Sequence, residues 1–254
     1  MTTNDRIPIK TTGTAFDLLE VLAREGETTL PELAGHLEMP TSTVHDHLLT
    51  LQKLGYVVKT GNAYRVSTRL LNMGESARRK MKIFPPAKKE VDKLAAQTGE
   101  HAALGIEENG QTVLLYISKG EDALNLGVSE GFRMAMPTNC LGKAMLAFLP
   151  DDRVEEILDR HGLPEITDNS LTSRDELYEQ LDLIRDRRYA TDVGERVGGV
   201  NAVAAPIVTE DTVRGALAIS APANRMEGDR FEMELPNLLL QSTNVVEVQY
   251  TLGE

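Results

Sequence analysis

Residues 29–66 constrain the fold of this chain more than any other stretch. Residues 41–54, TSTVHDHLLTLQKL, place Val44, Leu48, Leu51 and Leu54 at helical spacing, so one face is apolar and is expected to pack inward. Thr41 follows Pro40 and is positioned to cap the first turn, and Gly55 suits the stop. Just upstream, Thr29 and Glu32 form a T-x-x-E capping pair ahead of Leu30, Leu33, Ala34 and Leu37, a short apolar helix face. Met39 and Pro40 supply a turn between the two helices. Downstream, residues 56–66 hold two β-branched and aromatic runs around Thr60-Gly61-Asn62, which reads as a hairpin. Helix, turn, helix and hairpin in that order describe a winged helix-turn-helix.

Thr41, Ser42, Thr43, His45, Asp46, His47 and Thr50 lie off the apolar row of the second helix. Short hydrogen-bonding side chains on a rigid rod suit the reading of base edges in a major groove. Lys59 and Arg65 flank the hairpin and are expected to meet phosphate.

The net charge of −12 at first argues against double-stranded DNA as a partner, but it is unevenly placed. Residues 1–82 sum to +2 and the remainder to −14. A head this weakly basic attracts phosphate only modestly, so two heads acting together are expected. The acid-rich surface, with arginine outnumbering lysine, also suits a salt-adapted host. The length of 254 residues allows one large domain or two smaller ones. A single cysteine excludes a disulfide framework, no apolar run is long enough to span a bilayer, and residues 1–10 carry no signal-peptide pattern. A cytoplasmic protein is the expectation.

Along the chain, residues 1–10 are polar and expected to fray. Ala15, Phe16, Leu18, Leu19 and Leu22 then predict the first helix, ended by Gly26. After the winged unit, Leu70, Leu71, Met73 and Ala77 continue a helical pattern. The cations that follow it, Arg78, Arg79, Lys80 and Lys82, suit either a solvated helix C-terminus or a phosphate contact. Phe84-Pro85-Pro86 is expected to break that helix and mark a domain boundary. A helix with Val91, Leu94 and Ala95 inward runs to Gly99, and residues 101–106 and 112–117 read as strands joined by an Asn109-Gly110 turn. Residues 123–128 and 131–136 suggest further strands, 139–148 a short helix, and 152–160 and 174–188 amphipathic helices. Strands at 189–193, 200–208 and 213–220 precede a terminal helix over 231–250. Hairpin-paired strands interrupted by helices indicate an antiparallel α+β sheet.

Enzyme chemistry finds little support. Gly142-Lys143 lacks the remaining residues of a phosphate-binding loop, with Pro137 and Ala144 at the required Gly and Ser/Thr positions. Cys140 as a nucleophile has no base placed by sequence and reads as packing. His45 and His47 point to different helix faces, and His101 and His161 have no ligand-spaced neighbours, so no metal or cofactor is expected and both latter histidines read as satisfied or solvated. Asp192 and Glu195 could serve acid/base work or cap the turn before Gly198-Gly199.

Pro137-Thr-Asn-Cys-Leu-Gly-Lys-Ala-Met-Leu-Ala147 resembles the GKAxLA signature of IclR-type transcriptional regulators. Tyr189-Ala-Thr-Asp-Val-Gly-Glu195, Gly199-Val-Asn-Ala-Val-Ala-Ala-Pro-Ile207 and Ala216-Leu-Ala-Ile-Ser-Ala-Pro222 match in family order, as do Leu33-Ala34, Ser42-Thr43-Val44 and Leu48, Leu51 and Gly55 in the head. The resemblance implies a winged helix-turn-helix DNA-binding domain (1–68), a linker helix (69–83) and a GAF-like effector domain (84–254). It implies dimers or dimers of dimers that control genes of small-carbon-compound metabolism. Carried over by position, the effector pocket is lined by Leu126, Cys140, Leu141, Asp192, Ala202 and Ser220, with Asp192, Glu195 and Ser220 as the orienting polar groups. Three positions depart from the family pattern: Ala202 stands where many members have Cys, Ala221 where many have Gly, and Asp46 where relatives commonly carry Arg. An aspartate is repelled by phosphate and can only accept, for instance from cytosine N4, or pair with a neighbouring basic side chain. The competing readings are an enzyme on the C-terminal domain using Cys140 or the Asp192/Glu195 pair, and a ligand-free architectural DNA binder.

Overall fold

The structure, a computed structural model, describes residues 7–253. Residues 1–6 of the segment expected to fray lie outside the described residues, and Lys10 is already helical. Two compact units divide between Lys80 and Met81.

The first unit comprises α1 (Lys10–Glu25), β1 (Thr28–Thr29), α2 (Leu30–His36), α3 (Thr41–Lys53), β2 (Val57–Thr60), β3 (Ala63–Val66) and α4 (Arg69–Arg79). Leu18, Leu22, Leu33, Val44 and Leu48 are fully enclosed between the first three helices, with Leu51, Val57 and Tyr64 closing the core against the wing. The capping pair forms as expected: the Thr29 backbone N–H and hydroxyl donate to the Glu32 carboxylate at 2.8 and 2.7 Å. Gly61 turns the hairpin at φ +61°, and Gly55 leaves α3 at φ +80°, conformations that cost glycine little. β1 adds a third strand beside β3, too short to carry a sequence signal.

Three local expectations are corrected. Phe16 is exposed, because the inward stripe of α1 runs through Leu18, Leu19, Val21 and Leu22 and leaves position 16 on the other side. Leu54 is exposed, because α3 ends at Lys53 and the chain turns away before a further buried position. Thr41 does not cap α3: it is the first helical residue, and the cap position belongs to Pro40, whose carbonyl accepts from Thr43 and Val44 but whose side chain offers no acceptor.

The second unit comprises α5 (Phe84–Thr98), β4 (His101–Glu108), β5 (Gln111–Lys119), β6 (Arg133–Ala135), α6 (Cys140–Leu146), α7 (Asp151–His161), α8 (Arg174–Arg187), β7 (Ala190–Val193), β8 (Val200–Thr209), β9 (Thr212–Pro222) and α9 (Leu235–Leu252). The strands form one antiparallel sheet in the order β6-β5-β4-β9-β8-β7. Alternate residues face opposite layers. Ala102, Leu104 and Ile106 pack in the cluster that includes α5 and α9, while Ala103 packs in the cluster that includes α6, α7 and α8.

Pro85 and Pro86 do not break a helix but open α5, where a missing N–H leaves no bond unmade. The break comes one turn earlier, after Arg79. Residues 123–128 form no strand. The outer edge of β5 is already taken by β6 and by the backbone of Gly131 and Phe132, so they have no ladder to join.

On its α6 face the sheet is lined by small side chains. Ala103, Ala218, Ala204 and Ala190 stand opposite one another across four strands, and Gly105 pairs with Ala216 in the next row. This lets α6 sit close: a Cβ on Gly105 would lie 3.1 Å from the Leu141 side chain. Gly142 approaches closer still, and a Cβ there would fall 2.0 Å from the Met136 carbonyl oxygen. The Asn139 side chain caps α6, accepting from the Gly142 N–H at 2.9 Å.

Candidate functional site

Where α6 begins, the alanine row gives way to a different one. His101, Ser220, Ala202 and Asp192 stand opposite one another on β4, β9, β8 and β7, on the same sheet face as the alanines. They form the floor of a cavity of about 310 Å³. Asn139, Cys140 and Leu141 make one wall, and Leu126, Gly127, Val128, Phe132 and Met134 another. Ile166, Arg196 and Val197 reach it from the loops beside β7. Six of the seven residues expected at an effector pocket are therefore in one place: Leu126, Cys140, Leu141, Asp192, Ala202 and Ser220.

Glu195 is the one the structure places elsewhere. Both its carboxylate oxygens accept from the Lys143 ammonium at 2.6 Å, and that ammonium also donates to Gln180 Oε1 of α8 at 2.9 Å. Lys143 is fully buried, so the pair closes a charge that could not otherwise remain there. The lysine of the GKA motif thus holds the 192–196 turn against α6. Asp192 completes that turn, accepting from the Glu195 N–H at 2.8 Å.

Burial first, and then the nearby Glu195 charge, pushes Asp192 up to about 6, against the hydrogen bonds it receives. Burial pushes the Cys140 thiol far up as well, so it stays protonated and does not act as a nucleophile. His101 corrects the expectation of a satisfied or solvated histidine. It is buried, its Nε2 has no hydrogen-bond partner, and burial with the nearby Lys119 charge lowers its pKa, leaving the ring neutral. His161, by contrast, is satisfied by the Asn109 carbonyl at 3.0 Å. His101 and Arg196 were invisible as cavity residues in the sequence, because only the pairing of β4 with β9, more than a hundred residues away, brings His101 beside Ser220.

In the first unit, Thr43, Asp46, His47 and Thr50 share a shallow groove along α3, and Thr41, Ser42 and His45 are exposed beside it. The Thr50 hydroxyl donates to the Asp46 carbonyl at 2.8 Å, and Asp46 has the His45 ring 3.6 Å away. In the wing, Lys59 stands opposite Tyr64, with its ammonium 5.2 Å from that ring, while Arg65 stands opposite Val58. Lys59 and Arg65 therefore project from opposite faces of the hairpin. Arg65 lies 3.8 Å from Glu27. Of the basic cluster after the wing, Arg78 and Arg79 both reach Glu75.

The model for the IclR helix-turn-helix domain matches residues 14–61, and the model described as the bacterial transcriptional regulator IclR C-terminal matches residues 76–247. The chain belongs to the IclR family of bacterial transcriptional regulators. It is 31% identical over 242 residues to the probable HTH-type transcriptional regulator ArcR of Halobacterium salinarum, covering 92% of this chain and 91% of that one. The fold matches the crystal structure of a putative transcriptional regulator, RHA06195, of Rhodococcus sp. RHA1 (TM-score 0.84, 22% identity, 97% and 100% of the two chains). It also matches an IclR homologue from Microbacterium hydrocarbonoxydans complexed with 4-hydroxybenzoate (TM-score 0.82, 18% identity, 95% and 99% covered). An IclR-type chain is a ligand-responsive DNA-binding regulator rather than an enzyme, and no described helix here is long and apolar enough to cross a membrane.

Proposed function

We propose that this IclR-type regulator senses a small organic acid in the cavity floored by His101, Ser220, Ala202 and Asp192, and thereby controls genes of small-carbon-compound metabolism in the cytoplasm. The observation that carries this reading is the row itself: polar groups set in a largely apolar wall are what a small-ligand site requires. The volume equals about ten waters, which favours a small effector. Arg196 lines the cavity, stacks over Phe132 at 5.7 Å and has no carboxylate partner among the described residues, which favours an anion. The 4-hydroxybenzoate bound to the Microbacterium homologue is of this chemical kind.

In this reading residues 1–68 read DNA through α3 and the wing, 69–83 link, and 84–254 sense. The exposed polar face of α3 reads base edges, while Lys59 and Arg65 hold phosphates. The weak net charge of the head favours two heads on an inverted-repeat operator, hence a dimer or a dimer of dimers. The test is a thermal-shift screen of small organic acids, followed by operator binding titrated with each hit. A ligand at 100 times its dissociation constant stabilises by about 2.7 kcal/mol. No stabilisation by any acid, or hits that leave operator binding unchanged, overturns the proposal.

A further inference from the structure

The polar groups at the cavity are unequally committed. Asp192 accepts from the backbone N–H groups of Glu195 and Arg196, and the Asn139 side chain is taken up by Gly142, Ala135 and Thr112. Lys143 and Glu195 neutralise each other behind the wall. Among the described residues, the Ser220 hydroxyl and the His101 Nε2 make no hydrogen bond. Ser220 is half-buried and tolerates this, but His101 is 97% buried and does not. Leaving a buried ring nitrogen without a partner is costly, so its persistence calls for an explanation.

The geometry points to His101 as a specificity-determining contact of the effector: its imidazole hydrogen-bonds a second polar group of the ligand, other than the carboxylate that meets Arg196. This deepens the organic-acid reading above and rests on it. His101 and Asp192 stand three strand spacings apart, about 14 Å between backbones; the Arg196 backbone follows the Asp192 turn, while its guanidinium lies over the Phe132 ring on the β5 side of the cavity. A ligand whose carboxylate meets the Arg196 guanidinium has its remaining polar group free to meet the floor, where His101 lies. The ring's neutral state suits this role, since a neutral imidazole can donate from one nitrogen and accept at the other, and so matches a hydroxyl or a carbonyl. Ser220, its immediate cross-strand neighbour, offers a second partner to the same ligand group. A monofunctional acid leaves His101 buried and unmet, and a site built to hydrogen-bond a ligand group discriminates against analogues that lack it.

The experiment uses the full chain and two matched pairs of probes, benzoate with 4-hydroxybenzoate and butanoate with 4-hydroxybutanoate, with affinities measured by calorimetry. The wild type should prefer the hydroxylated member of at least one pair by tenfold or more. His101→Phe should abolish that preference, and His101→Gln should retain part of it. A preference that survives both substitutions overturns the inference, as does a wild type that binds none of the four acids or binds both members of each pair alike. If His101→Phe does not fold, His101→Gln decides alone: a preference undiminished by it counts against the proposal. Ala202→Phe, which fills the cavity floor, separates the two levels. Probe binding undiminished by Ala202→Phe refutes the cavity itself as the effector site. Binding lost in Ala202→Phe, with the preference intact in the His101 variants, refutes only the role of His101.

Discussion

The Lys143 ammonium is fully enclosed and donates to both oxygens of Glu195 at 2.6 Å, joining the first turns of α6 to the loop that follows β7. The loop anchored this way carries Arg196, and its first residues hold Asp192 by the hydrogen bond from the Glu195 N–H. Cavity and motif are thus one piece of construction.

Lys143→Met strands the Glu195 carboxylate without its counter-charge. The expected loss is about 3–5 kcal/mol in urea unfolding, and Lys143→Met combined with Glu195→Leu should recover most of it. Equal losses in the single and double variants would show that packing, not the charge pair, matters at this position.

Gly142→Ala has no room, since the added carbon would sit 2.0 Å from the Met136 carbonyl oxygen and 2.5 Å from its Cα. Both are backbone atoms, so α6 itself must shift. The expected cost is about 1–3 kcal/mol or more, with a matching fall in thermal midpoint. A midpoint within a degree of wild type would contradict the packing described.

Asp192 gives a pH test. Its folded-state pKa is raised from an ordinary 3.8 to about 6, so the native state holds more protons than the unfolded one between those values. Stability from this group is therefore present at low pH and is lost as pH rises through about 4 to 6, by about 3 kcal/mol once it is fully ionised. Asp192→Asn should be more stable than wild type at pH 7–8 and should converge with it below pH 4. Unfolding midpoints across pH decide the matter, and a constant difference would dismiss the ionisation as its source.

The wing makes an asymmetric prediction. Lys59 and Arg65 face opposite sides of the hairpin, and Arg65 shares its charge with Glu27. Lys59→Ala should weaken binding alike on operator and random DNA and flatten the salt slope by about one unit. Arg65→Ala should do less. Anisotropy titrations over a range of salt would reveal the reverse order if the other face meets DNA.

Ser220→Ala should leave operator binding without ligand unchanged and raise the effector concentration needed to alter it roughly ten- to hundredfold. A midpoint unmoved by this change would place the effector away from the β4–β9 end of the floor.

Much of this molecule is written in local pattern. The capping pair at Thr29 and Glu32, the inward face of α3 from Val44 to Leu51 and the Asn109-Gly110 turn each depend on residues a few positions apart, and each formed as expected. The GKA motif and the strand patterns around it announced the family from sequence alone. What they could not announce was partnership at a distance. Fifty-two residues separate Lys143 from Glu195 in the chain, and the lysine's role becomes visible only when α6 lies on an alanine floor close enough for them to meet. His101 looked ordinary because its isolation is a property of the fold: nothing in the strand sequence says that its ring will be covered and left without a partner. The same holds for Phe16, Leu54 and residues 123–128, where apolar character was legible but the surface left to cover it was not. Local sequence determines which helices and hairpin turns form, because their hydrogen bonds close within a few residues. Only the tertiary arrangement, through non-local strand register and burial, decides which polar groups are paired and which are left facing a cavity.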